Sequence, residues 1–191
     1  MLRKINLLTL ISAIVLFFLP WIDIRCSGQA IATQTGLQTI YGGASPSDQM
    51  EAMAKETPSR RAQRNDDDSL GWSPVIAVAL LAILAGTVFA FLALRHGDSR
   101  HDTSTSLFAT LGLILIAIQM AAGFPAGKAL SDSMAREANS NNDPMTAGLA
   151  GATLMNFDIR PLPALYLELA VLGIPTLIGI NGLLDRLKKQ P

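Results

Sequence analysis

Four apolar blocks limit what this chain can become. They cover residues 5–21, 75–94, 107–124 and 165–184, and each approaches the roughly 20 apolar residues a helix needs to cross hydrocarbon. The second block carries no charge, and the strongest polar residue of the third is Gln119. The fourth contains Glu168, Pro175, Asn181 and three glycines, and the first is interrupted by Asn6, Thr9, Ser12 and Pro20. Only 16% of the 191 residues are charged, against about a quarter in soluble domains. The expected fold is therefore all-α and membrane-embedded: a four-transmembrane-helix bundle forming one domain over 1–191.

The first block has two readings. Arg3-Lys4 ahead of an apolar run fits a cleaved secretory signal, which would leave three spans. It also fits an uncleaved signal anchor. The run exceeds a usual signal core, no small-x-small site follows it, and Asp23-Ile24-Arg25 before Cys26 does not fit a lipoprotein cleavage box. These points favour the anchor.

Basic residues set the expected orientation. Seven of the fifteen Lys and Arg fall in the 22 residues of segments 1–4, 95–105 and 185–191. The other eight are spread over the 90 residues of segments 22–72 and 125–163. Dense basic charge marks the cytoplasmic side, so both termini and the loop 95–105 are expected inside. Trp21, Trp72, Phe124 and Tyr166 then fall at the outer ends of the spans, as an aromatic belt requires. The expected location is a bacterial inner membrane.

The long loops 22–72 and 125–163 are expected to build a small extracytoplasmic α+β cap. Ser27-Gly28 between β-prone runs reads as a two-residue hairpin turn, which sets Ile24 opposite Ile31 and Ile22 opposite Thr33. Ser45-Pro46-Ser47-Asp48 has the pattern of a helix start. Residues 60–68 have the composition of a solvated linker. In the second loop, 126–138 reads as helical, 139–144 as a turn cluster, and 156–161 as a short strand ended by Pro161.

Asp-Ile-Arg occurs twice, at 23–25 and 158–160. One copy leaves span one and the other approaches span four, so the two run antiparallel. Pairing residues whose numbers sum to 183 sets Asp23 against Arg160, Arg25 against Asp158, Ile24 against Ile159 and Cys26 against Phe157. Charges then share one face and apolar groups the other. The alternative is two unrelated segments flanking the interface. Cys26 is the single cysteine, so it is either a free thiol or bonded to a second chain.

Little in the chain suggests catalysis. His96 and His101 lack helix-face ligand spacing and a cysteine partner. There is no G-x-S-x-G elbow and no phosphate-binding glycine loop. Zero formal net charge gives no footprint for nucleic acid. Glu168 is the one acid within a span; at an interfacial depth it is expected to pair with Lys128 or Arg160, or to reach water. Ala82-x3-Gly86-x3-Ala90 and Ala117-x3-Ala121 are small-residue faces suited to close helix contacts.

The segment Pro20-Trp21-Ile22-Asp23-Ile24-Arg25-Cys26, with Thr33-Gln34-Thr35-Gly36-Leu37-Gln38 and Tyr41-Gly42-Gly43, resembles a pattern in uncharacterised bacterial multipass membrane proteins. That resemblance implies no activity. Four spans with an outer sheet drawn from both outer loops is similar in layout to claudin-like four-span proteins, without their W-GLW-C-C motif. The expected function is non-enzymatic: an interaction, accessory or assembly subunit binding a partner through its outer loops. A small-solute transporter or channel formed by oligomerisation is the alternative. No cofactor or metal is expected. Expected partners are the lipid bilayer and either a membrane protein or further copies of the chain, with Trp21, Asp23, Arg25, Cys26, Asp158, Arg160 and Glu168 as structural or interaction residues.

Overall fold

The computed structural model describes residues 2–47, 71–97, 99–129, 132 and 157–188. In chain order its elements are α1 (Leu2–Leu16), β1 (Pro20–Cys26), β2 (Gln29–Thr35), α2 (Gly36–Tyr41), β3 (Ser45–Pro46), α3 (Pro74–His96), α4 (Ser99–Ala122), β4 (Phe157–Pro161) and α5 (Pro163–Leu187). Residues 125–129 are also helical. The chain divides into two units, a helical one holding α1, α3, α4 and α5 and a second one holding the strands, α2 and residues 125–129. The linker expected at 60–68, the turn cluster at 139–144 and most of the helix expected at 126–138 lie outside the described residues.

Among the described residues, α3, α4 and α5 are long and apolar enough to cross a membrane. α1 is not. Its 15 residues rise only about 22 Å, so the span expected over 5–21 ends early. Two causes act together. Pro20 disfavours helical geometry in the residue before it, and Pro20–Cys26 is taken into β1. The amides of Phe18 and Leu19 reach carbonyls only three residues back, those of Val15 and Leu16, a tightening common where helices end.

The helical unit is built on a seam of small residues. α3 buries Ile76, Ala79, Ile83, Gly86, Ala90 and Ala93, alternating steps of three and four that keep one face inward. α4 answers with Thr105, Ala109, Ile116 and Gln119, and α1 with Asn6, Leu10 and Ala13. A Cβ placed on Gly86 would lie 3.2 Å from Phe108 Cβ and 3.7 Å from Leu10 Cδ1, and one on Gly112 only 2.9 Å from Ile83 Cγ1. The Ala82/Gly86/Ala90 face is thus buried, as expected. Ala117 and Ala121 are exposed instead, because α4 turns its 105/109/112/116/119 face inward.

α5 buries Leu165, Glu168, Leu172 and Thr176. It touches α4 where Gly179 lies against Ser106 and where the Thr110 and Thr176 hydroxyls meet at 3.2 Å. The loop expected at 95–105 is mostly helix. α3 runs to His96 and α4 starts at Ser99, with Gly97 at φ +73° donating its amide to Ala93 O, a left-handed cap. Arg3 closes this end: Nε and Nη2 hold the Asp102 carboxylate at 3.0 and 2.9 Å, and Nη2 also donates to Gly97 O.

The second unit is an antiparallel sheet of order β3-β2-β1-β4. Ser27 and Gly28 turn the β1–β2 hairpin with φ of +52° and +82°, the left-handed pair that matches strand twist. Near the turn the register is as expected, with Cys26 opposite Gln29 and Arg25 opposite Ala30. Ile31 is then an extra residue in β2, a bulge. Beyond it Ile24 faces Ala32 and Ile22 faces Gln34, not Ile31 and Thr33. Ser45-Pro46 does not start a helix either. It forms β3, pairing with Thr33 and Ala32, an edge position that tolerates proline.

The seam gives a stability test. Gly112→Val should destabilise the full chain in detergent by about 1–3 kcal/mol, the usual cost of overpacking, because Ile83 has no room to give. Gly173→Ala meets nothing within 4 Å and should raise helix stability by about 0.5–1 kcal/mol. Thermal unfolding followed by circular dichroism checks both signs; equal shifts would contradict the seam.

Candidate functional site

Six of the seven residues singled out from sequence lie on β1 and β4, and the fold brings four of them together. β1 and β4 pair antiparallel with Asp23 opposite Arg160, Ile24 opposite Ile159, Arg25 opposite Asp158 and Cys26 opposite Phe157. This is the register read from the two Asp-Ile-Arg segments. Leu162 N donates to Trp21 O at 2.7 Å, which fixes the phase of the ladder. Trp21, Asp23 and Arg25 direct backbone groups to β4, while Ile22, Ile24 and Cys26 direct theirs to β2.

On the charged face each arginine closes on the aspartate two residues before it. Arg25 Nε lies 2.7 Å from Asp23 Oδ2, and Arg160 Nε 2.5 Å from Asp158 Oδ2. The pairing thus runs along each strand, whereas the sequence suggested pairing across them. Adjacent strands fix which residues are opposite, but not which carboxylate a flexible arginine takes. Exposure grades across the patch: Asp23 is buried, the Arg25 side chain is 32% exposed, and those of Asp158 and Arg160 are 49% and 61% exposed. The outer pair is solvated, and such pairs contribute about 0–1 kcal/mol. Asp23 Oδ1 is buried with no hydrogen-bond partner among the described residues, a cost of about 1–3 kcal/mol.

The apolar face is closed by Ile24 and Ile159, and Gly127 passes so close that a Cβ there would lie 2.7 Å from Ile159 Cδ1. Trp21, Ile22 and Ala126 are fully buried. Cys26 is a half-buried free thiol.

A second polar cluster escaped the sequence reading. Gln34, fully buried, donates Nε2 to Gly43 O at 2.6 Å. Thr35 caps α2: its hydroxyl accepts from Gln38 N, and Gln38 Oε1 accepts from Thr35 N. Gly42, at φ +79°, ends the helix with its amide on Gln38 O. The Thr-x-x-Gln spacing followed by Gly42 is a capping-box and C-cap signature that could have revealed α2. Of the residues that carry the sequence resemblance, Thr35, Gln38 and Gly42 cap this short helix, while Thr33 and Gln34 belong to β2.

Glu168 stands apart, in α5. It is fully buried, and neither carboxylate oxygen has a hydrogen-bond partner among the described residues. It neither reaches water nor takes a hydrogen bond from Lys128 or Arg160, because it lies on the same inward stripe as Leu165 and Leu172. Asn6 Oδ1 is likewise buried without a partner. His101 stacks on Phe89 with centroids 6.0 Å apart, a packing role. Among the described residues no three His, Cys, Asp or Glu side chains group as metal ligands would. The patch can therefore recognise charge and extend a sheet; among the described residues it brings no nucleophile beside a base. No protein family, curated protein or solved structure matches this chain.

The ladder is open to a direct chemical test. In a Cys26→Ser background, Ile24→Cys with Ile159→Cys should form a disulfide on mild oxidation, since a non-hydrogen-bonded pair brings Cα atoms to about 4.5 Å. Ile24→Cys with Arg160→Cys, whose side chains lie on opposite faces, should stay reduced. Equal oxidation of the two pairs would show that the strands do not hold this register.

Proposed function

We propose that the chain is a non-enzymatic four-span protein of a bacterial inner membrane, with both termini in the cytoplasm. In this reading it serves as an interaction, accessory or assembly subunit whose extracytoplasmic cap, drawn from loops 22–72 and 125–163, binds a partner protein. The carrying observation is the folded second unit. It presents a solvated Asp158/Arg160 pair beside a part-buried Asp23/Arg25 pair.

Membrane insertion is supported by where apolar side chains remain exposed. Leu8, Val15 and Phe18 near α1, Leu81 and Val88 in α3, Leu107 in α4 and Leu177 in α5 all face outward. Apolar surface of this extent needs a lipid or protein cover. The orientation is supported by the contact of Arg3 with Gly97 and Asp102, which gathers the N-terminus and the α3–α4 turn at one end, where basic residues concentrate. α1 would cross as the fourth span together with the apolar residues 17–19 that follow it.

One observation favours a second reading, a small-solute transporter or channel. A buried, unpartnered acid in a membrane helix is by default a functional group, and Glu168 has that character. Pro175 lies within the same unbroken helix, where it removes one backbone hydrogen bond.

Reporter fusions after residues 40, 100, 140 and 191 should read outside, inside, outside, inside; a cytoplasmic reading at 40 would overturn the topology. Affinity purification of the full chain after in-cell crosslinking should recover a stoichiometric partner through the cap, diminished by Arg160→Glu. Recovery of the chain crosslinked neither to another protein nor to a second copy would remove the leading reading. For the second, vesicles holding the protein and a pH-sensitive dye should pass protons in a Glu168-dependent way. Flux no greater than in protein-free vesicles would count against it.

A further inference from the structure

We propose that β4 is a dimerisation edge, through which two copies of this chain join their sheets antiparallel about Ile159. The inference rests on the reading of the cap as a binding surface and names the partner as a second copy.

The two edges of the sheet are unlike. At one end β3 is only two residues long and contains Pro46, a blunted edge. At the other, among the described residues, β4 has a neighbour on one side only. The ladder phase says which of its backbone groups are spare. Asp158, Arg160 and Leu162 turn theirs toward β1, so the amide and carbonyl of Phe157 and Ile159, and the carbonyl of Pro161, point outward. A five-residue strand with outward donors and acceptors at alternate positions is a template for another strand.

The sequence of that strand fits its own copy. Laid antiparallel about Ile159, residues whose numbers sum to 318 become opposite. Ile159 meets Ile159 of the second copy in a hydrogen-bonded pair, and each Phe157 amide meets the other copy's Pro161 carbonyl. The missing proline N–H removes nothing from those four bonds. Asp158 then faces Arg160 of the second copy, and Arg160 faces its Asp158, both in non-hydrogen-bonded pairs where side chains approach most closely.

The charge pattern Asp-Ile-Arg is complementary to itself when reversed, and the chain already holds that backbone register once: β1 presents the same tripeptide to the other side of β4, although there each arginine closes on the aspartate of its own strand. Asp158 and Arg160 are about half exposed or more, so turning from each other to a second copy removes no buried contact. Charges on an edge strand usually repel other strands; here the pattern admits the one strand whose charges alternate oppositely when reversed. The pairing is isologous, so it closes at two copies.

The test uses two tagged forms of the full chain co-expressed in membranes, both with Cys26→Ser. One carries Asp158→Cys and the other Arg160→Cys. The mixed disulfide should form at least about tenfold faster than the 158–158 or 160–160 disulfide, because those like pairs are diagonal neighbours about 7–8 Å apart. In the otherwise unsubstituted chain, Arg160→Asp should convert a detergent-solubilised dimer to monomer, and Arg160→Lys should keep it. The Ile24→Cys/Ile159→Cys disulfide, made in parallel, reports that β4 is seated on β1. With that disulfide formed, equal rates for all three interchain pairs, or a monomeric unsubstituted chain, would overturn the dimer. A different protein held at the cap by such a monomer would reject this inference and leave the binding role of the cap standing.

Discussion

β1 is the strand on which the second unit depends. It uses both of its edges, giving Ile22, Ile24 and Cys26 to β2 and Trp21, Asp23 and Arg25 to β4. A strand so placed leaves few backbone groups unpaired, which lets Trp21 through Ile24 be buried without the penalty of orphaned amides. It also ties two stretches that lie far apart in sequence. The chain leaving α1 and the chain approaching α5 are held side by side by the bond from Leu162 to Trp21.

The helical unit answers to a different physics. Between helices in lipid there is little hydrophobic gain, so association depends on close approach and on polar contacts. Gly86 and Gly112 supply the approach between α3 and α4, and Gly179 that between α5 and α4. Thr110 with Thr176, and Arg3 with Asp102, supply polar contacts. Glu168 and Asn6 stand outside that economy, since each has a buried oxygen with nothing to accept among the described residues. Each weakens the fold by the desolvation of a polar group left unmet.

What the sequence disclosed depended on how local the cause was. The Ser27-Gly28 turn and the Asp-Ile-Arg register were legible because two-residue turns and alternating charges leave little freedom. The bulge at Ile31 was not, since nothing in Gln29–Thr35 distinguishes the residue that steps out of the ladder. α2 is marked by Thr35, Gln38 and Gly42, but its six residues carry no apolar period. Ser45-Pro46 has two lawful uses, helix start and edge strand, and only the neighbouring β2 decides between them. α1 was read too long because Phe17, Phe18 and Leu19 are as apolar as the helix before them. Glu168 was placed at an interface by counting along the helix. Its burial depends on which face α5 turns inward, and the chain alone does not state that.

The order of the strands along the chain also has a consequence in time. β1 and β2 are neighbours and can zip together as soon as residue 35 has been made. β4 begins at Phe157, 131 residues after β1 ends at Cys26. At translation rates of about 5–20 residues per second, the outer edge of β1 waits roughly 7–26 seconds for its partner. Over that interval Trp21, Asp23 and Arg25 present unpaired backbone to whatever is near, including the same edge on a chain made by the next ribosome. Any strand that pairs with that edge in the interval has to leave it before β4 can dock.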